Sequence, residues 1–76
     1  MEEKIKVIDE KLYMAIRLFR LFCEKYKVNA ERGNNLFNSY EIWDYIDRAY
    51  DYLHLNGDES AVDDISEIMI NRGALL

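Results

Sequence analysis

Arg48 and His54 stand six residues apart, and an arginine with a histidine could manage a phosphate group. The guanidinium would bind the anion, and the imidazole, which titrates near neutrality, would move a proton. Six steps along a helix, however, turn the two side chains about 120° away from each other. Arg48 is then better placed to pair with Asp44 or Asp51. Asp47, Asp51 and His54 do share a helical face, at i, i+4 and i+7. Two carboxylates and an imidazole could hold a divalent cation, but the neighbouring sequence supplies no fourth ligand. The plainer role for His54 is at a helix C-terminus, where its protonated ring suits the dipole. Cys23, the one cysteine, lies in an apolar run with no histidine nearby in sequence and reads as packing. There is no glycine-rich phosphate loop and no Cys/His set at metal-binding spacing. No catalytic residue, cofactor or metal ion is therefore expected.

Binding is better served than catalysis. Trp43 sits between an apolar stripe and the carboxylates of Asp44, Asp47 and Asp51, a position suited to an interface anchor or to capping a small core. The charge is unevenly placed. Residues 1–38 carry eight Lys/Arg and six Asp/Glu, for +2; residues 39–76 carry two and nine, for −7; together they make the −5 of the chain. An acidic half repels phosphate backbones and argues against a nucleic-acid partner. It suits either a solvated surface or a face that docks on a basic protein.

The chain that positions these residues has 76 positions, no proline, and half its residues hydrophobic. That is one domain, 1–76, with enough apolar material to fold but modest stability. No apolar run reaches the roughly 20 residues of a membrane span, and residues 1–4 lack the apolar segment of a secretory signal. With a lone cysteine, a cytoplasmic location is expected. Helical periodicity covers most of the chain and strand alternation is absent. The fold predicted is a compact all-α bundle of four helices.

The first helix spans about Ile8 to Lys27, after a frayed stretch at 1–7. Its stripe of Ile8, Leu12, Ala15, Ile16, Phe19, Phe22, Cys23 and Tyr26 is expected to face the core. Met14, Leu18 and Leu21 form a second ridge, which either other helices wrap or another chain covers. Asn29 caps a second helix over 30–40, where Gly33, Asn34 and Asn35 are poor helix formers. A third runs from Ile42 to Leu55 and ends at Asn56-Gly57 with a left-handed glycine cap. A fourth, capped by Asp58 or Ser60, buries Val62, Ile65, Ile68 and Met69. Arg72 and Gly73 close it, and the tail 74–76 is apolar.

One set of residues fits no general physical rule. It runs Phe22-Cys23-x-x-Tyr26, Leu36-Phe37-x-x-Tyr40, Tyr45-Ile46, Tyr50-x-x-Leu53-His54-x-x-Gly57 and Asp64-Ile65. The frame resembles a small bacterial family, domain of unknown function thirty-seven ninety-one, over about residues 12–72, and Leu53-His54-x-x-Gly57 is its most specific part. The family often has glycine after the tyrosine of L-F-x-x-Y, where this chain has Glu41. What the resemblance implies is context: such proteins are often encoded beside one that looks like an ADP-ribosyltransferase toxin, which suggests an antitoxin or accessory partner. Arg48 and His54 also resemble the R-x4–6-H motif of HEPN-type ribonucleases. Those domains are larger, and Ala49 stands where they usually have a polar residue.

The sequence thus reads as a non-catalytic protein-binding module, antitoxin-like, that occludes a basic toxin-like partner. Met14, Leu18, Leu21, Trp43, Asp47 and Asp51 are its expected contact residues. The rival readings are an acidic inhibitor that mimics nucleic acid, a homodimer seamed along Met14-Leu18-Leu21, and, last, a HEPN-like ribonuclease.

Overall fold

In the computed structural model, the backbone is described from Glu2 to Leu76 and the side chains from Glu10 onward. Ile8 and the expected frayed stretch at 1–7 therefore have side chains outside the described residues. Five helices follow one another: α1 (Glu2–Tyr26), α2 (Ala30–Ser39), α3 (Ile42–Arg48), α4 (Tyr50–Asn56) and α5 (Asp58–Asn71). No strand occurs among the described residues.

α1 is the long member, as its unbroken run without glycine or proline allows. At 1.5 Å per residue it is about 37 Å long, close to the 42 Å long axis of the molecule. It ends where Lys27 turns left-handed and the Val28 N–H reaches back to the Cys23 carbonyl, a Schellman closure. α2, α3 and α5 pack directly on α1, while α4 packs on α5.

The buried face of α1 differs from the one expected. Met14, Ala15, Leu18 and Phe22 are buried, whereas Leu12 is 57% and Ile16 44% exposed. At 100° per residue the buried face is turned by roughly 80° from the predicted stripe. Helices lie on both flanks of the Leu18 side, α2 and α3 toward Phe19 and α5 toward Arg17 and Lys25. Leu18 consequently becomes the centre of the face, and Leu12 and Ile16 its outside edge.

α2 starts as predicted, with the Asn29 side chain accepting from the Arg32 N–H at 2.8 Å and Glu31 in the first turn. Leu36 and Phe37 are buried. The Phe37 ring packs edge-on to Phe19 and Phe22, with centroids 5.2 and 5.3 Å away. Gly33 is buried too, and it lets the two helices approach. A Cβ there would stand 2.5 Å from Cys23 Sγ and 3.1 Å from the Phe19 ring. α2 gives way to α3 through Glu41, which is left-handed at φ 56° and ψ 38°. The Arg72 guanidinium donates to the carbonyl of Tyr40 there, while its backbone N–H closes the end of α5 on the Ile68 and Met69 carbonyls.

The predicted third helix is two helices, which makes five in place of four. Ala49 (φ −98°, ψ 15°) ends α3 and begins α4. The bend has a packing cause: α3 lies against α1 and α2, whereas α4 lies against α5, and one straight rod could not serve both. Ile42, Ile46 and Leu53 are buried on either side of it. Gly57 then joins α4 to α5 alone. Its φ of 84° is positive as expected, but its ψ of 162° is far from a left-handed helical cap. No side chain caps α5; Asp58, a proposed cap, lies in its first turn. Val62, Ile65 and Met69 are buried and Ile68 half-buried. Beyond Gly73, the Ala74 N–H returns to the Met69 carbonyl, and Ala74 alone of the tail is buried.

Candidate functional site

The six residues expected to contact a partner fall in three places. Met14 (2% exposed) and Leu18 (0%) are core residues. Their ridge is wrapped by neighbouring helices and is closed to a partner or a dimer seam. Leu21, the third of the ridge, is half-buried at its edge. Trp43 is half-buried on the opposite flank of α1, stacked on Phe19 at 5.4 Å and edge-on to Phe37 at 4.8 Å. Its ring thus closes an aromatic cluster, the core-capping alternative. Asp47 and Asp51 are exposed. Asp47 faces Lys11 at 3.7 Å.

Leu21 leads to the better-formed surface. A groove of about 510 Å³ between α1 and α5 is lined by Leu21, Glu24, Lys25, Glu59, Val62 and Asp63. Two aliphatic side chains meet three carboxylates and one ammonium, and Lys25 is paired with Asp63. That contact holds the Lys25 ammonium above its ordinary pKa. Farther along the same seam, Arg17 grips both oxygens of Asp58, at 2.6 and 3.1 Å, so the walls are pinned together by ion pairs. Chemically, the groove can take an aliphatic side chain flanked by cations. Glu24, Lys25, Glu59, Val62 and Asp63 were missed as site residues. Their signal was the helical spacing of Glu59, Val62 and Asp63, which puts two acids beside an apolar position.

The chemistry-bearing pairs do not assemble. Arg48 binds Asp44 at 2.9 Å. His54 is exposed and stacks on the Tyr50 ring at 5.6 Å. Among the described residues no three His, Cys, Asp or Glu side chains come together to hold a metal ion, Asp47, Asp51 and His54 included. Burial pushes the Cys23 thiol above its ordinary pKa, which disfavours the nucleophilic thiolate. Tyr45 is also raised, chiefly by burial and then by Asp64. One Asp64 oxygen is buried without a hydrogen-bond partner among the described residues. No helix among the described residues is long and apolar enough to cross a membrane.

Compared with known proteins, residues 13–72 match the model of a family described as "Protein of unknown function (DUF3791)". No curated protein and no solved structure matches the chain.

Proposed function

The chain belongs to the DUF3791 family, and from the surface its fold leaves open we propose that it is a non-catalytic protein-binding module. Its concrete form is an antitoxin-like partner that occludes a basic toxin-like protein in the bacterial cytoplasm. The residues that carry the family frame argue for scaffold over chemistry: Phe22, Leu36, Phe37, Ile46, Leu53 and Ile65 are all buried. What remains for function is surface.

The observation that carries this reading is the groove between α1 and α5. It combines an apolar floor, Leu21 and Val62, with the carboxylates of Glu24, Glu59 and Asp63. An aliphatic side chain of the partner would be desolvated on that floor, and its neighbouring lysines or arginines would meet the acids at the rim. Asp47 and Asp51 do not line the groove; both are exposed and contribute to the long-range field that steers a basic partner. Trp43 supports the scaffold beneath them.

Copurification from the native host, at low and high salt, tests the proposal. A basic protein should be retained by the wild type, released as salt rises, and lost with Leu21→Asp and with Glu59→Lys. Recovery of no such partner, or undiminished retention by both variants, would overturn it.

A further inference from the structure

The groove between α1 and α5 continues past its own walls. Two of its lining residues, Leu21 and Glu24, also line a second depression of about 440 Å³, together with Tyr13, Ile16, Arg17 and Arg20. This second depression is built on α1 alone, and its residues fall into two rows at four-residue spacing. One row is Tyr13, Arg17 and Leu21 and continues to Lys25; the other is Ile16, Arg20 and Glu24. Rows of that spacing are the ridges one helix presents to another, and the furrow between them receives a ridge of the second helix. The first row is fixed from α5, because Arg17 binds Asp58 and Lys25 binds Asp63. The second row is open. Ile16 is 44% exposed, Arg20 and Glu24 are exposed, and neither charge has an ion-pair partner among the described residues. Arg20 and Glu24 do stand at i and i+4, but with the cation first, the weaker order for such a pair.

We infer that the two depressions form one seat for an amphipathic helix of the protein partner, whose contact stripe is aliphatic, with a carboxylate at one end and lysine or arginine at the other. This deepens the reading of the α1–α5 groove as the partner site and rests on it. The occupant is a helix because the furrow is bounded by two ridges at helical spacing. Its stripe is aliphatic because it crosses Tyr13, Ile16, Leu21 and Val62, whose apolar surface gains by leaving water. Its ends follow from charge. Arg17 and Lys25 are already paired, so Arg20 is the cation of this surface that still calls for an acid. Glu24 and Glu59 have no cation among the described residues and call for lysine or arginine. A uniformly basic helix would satisfy the two glutamates but set a like charge against Arg20, so the helix that fits carries both signs.

Fluorescence anisotropy with labelled synthetic peptides reads the outcome. Each peptide is stapled on its outward face to hold it helical and carries leucines at i, i+4, i+7 and i+11 on its contact face. The first has glutamate at one end of that face and lysines at the other, the second lysines at both ends, the third glutamates at both. The wild type should bind the mixed peptide about tenfold or more tighter than either uniform one. Arg20→Glu should make the all-lysine peptide the tighter of the first two, and Glu59→Lys should weaken both. Residues 20 and 59 are exposed, so each variant should keep wild-type helix content by circular dichroism. A mixed peptide broken by a central proline should lose its binding. Equal binding of the broken peptide, or failure of every peptide to bind, would overturn the helix alone. A preference for the all-lysine peptide that Arg20→Glu leaves unchanged would overturn the two-signed stripe and leave the groove as a site for a basic partner. Binding unmoved by Glu59→Lys would overturn the groove reading as well. A chain that self-associates at the assay concentration and excludes the peptides would give the surface to a second copy and overturn the inference.

Discussion

At Gly57 the backbone combines φ 84° with ψ 162°, a region open essentially to glycine alone. A Cβ there would meet no atom within 4 Å, so substitution costs backbone strain and nothing else. Gly57→Ala should therefore destabilise the fold by about 1–3 kcal/mol. Thermal melts read this as a midpoint lower by roughly 4–8 °C per kcal/mol for a domain of this size; an unchanged midpoint would mean the joint relaxes at no cost. Glu41 is the opposite case, a residue with a Cβ held left-handed at φ 56°. The Cβ penalty of about 1–2 kcal/mol there exceeds the extra chain entropy glycine loses, so Glu41→Gly should stabilise by up to about 1 kcal/mol. The same melts check it, with a raised midpoint expected.

Among the elements, the α1–α2 crossing shows where local preference and tertiary contact oppose each other. In an isolated helix, alanine is better than glycine by about 1 kcal/mol. At position 33 its Cβ would stand 2.5 Å from Cys23 Sγ, so the helices must part. Gly33→Ala should destabilise by about 1–3 kcal/mol through overpacking, measured by urea unfolding. Adding Cys23→Ala should recover part of the loss, because it removes the atom in the way. Sequence reasoning saw Gly33 only as a weak helix former, since a close approach belongs to two segments and is invisible in either. The same holds for Ala49: the periodicity of Ile42, Ile46, Ala49 and Leu53 runs straight through it. The bend comes from α3 and α4 having different neighbours. By contrast, the Asn29 cap and the buried pair Leu36 and Phe37 were legible, because a cap and an amphipathic stripe are written within one segment.

For the whole molecule, the decisive question was which side of α1 faces inward. The helix carries apolar residues around more than half its circumference, and its own periodicity does not choose between them. The choice is made by α2 and α3 on one flank and α5 on the other, which converge on Leu18. That is why Met14 and Leu18 became core, and why the candidate site shrank to Leu21 at the rim of a groove whose other wall, on α5, no reading of α1 alone could supply. The resulting orientation makes a sharp contrast between two leucines six residues apart. Leu18→Ala should cost about 2–5 kcal/mol, the range for emptying a buried leucine site, and in so small a domain that approaches its whole stability. Leu12→Ala, at a position 57% exposed, should stay within about 0.5 kcal/mol of the wild type. Chemical denaturation of both variants decides the matter. The reverse ranking would restore the stripe through Leu12 as the core face and return the ridge of Met14, Leu18 and Leu21 to the surface.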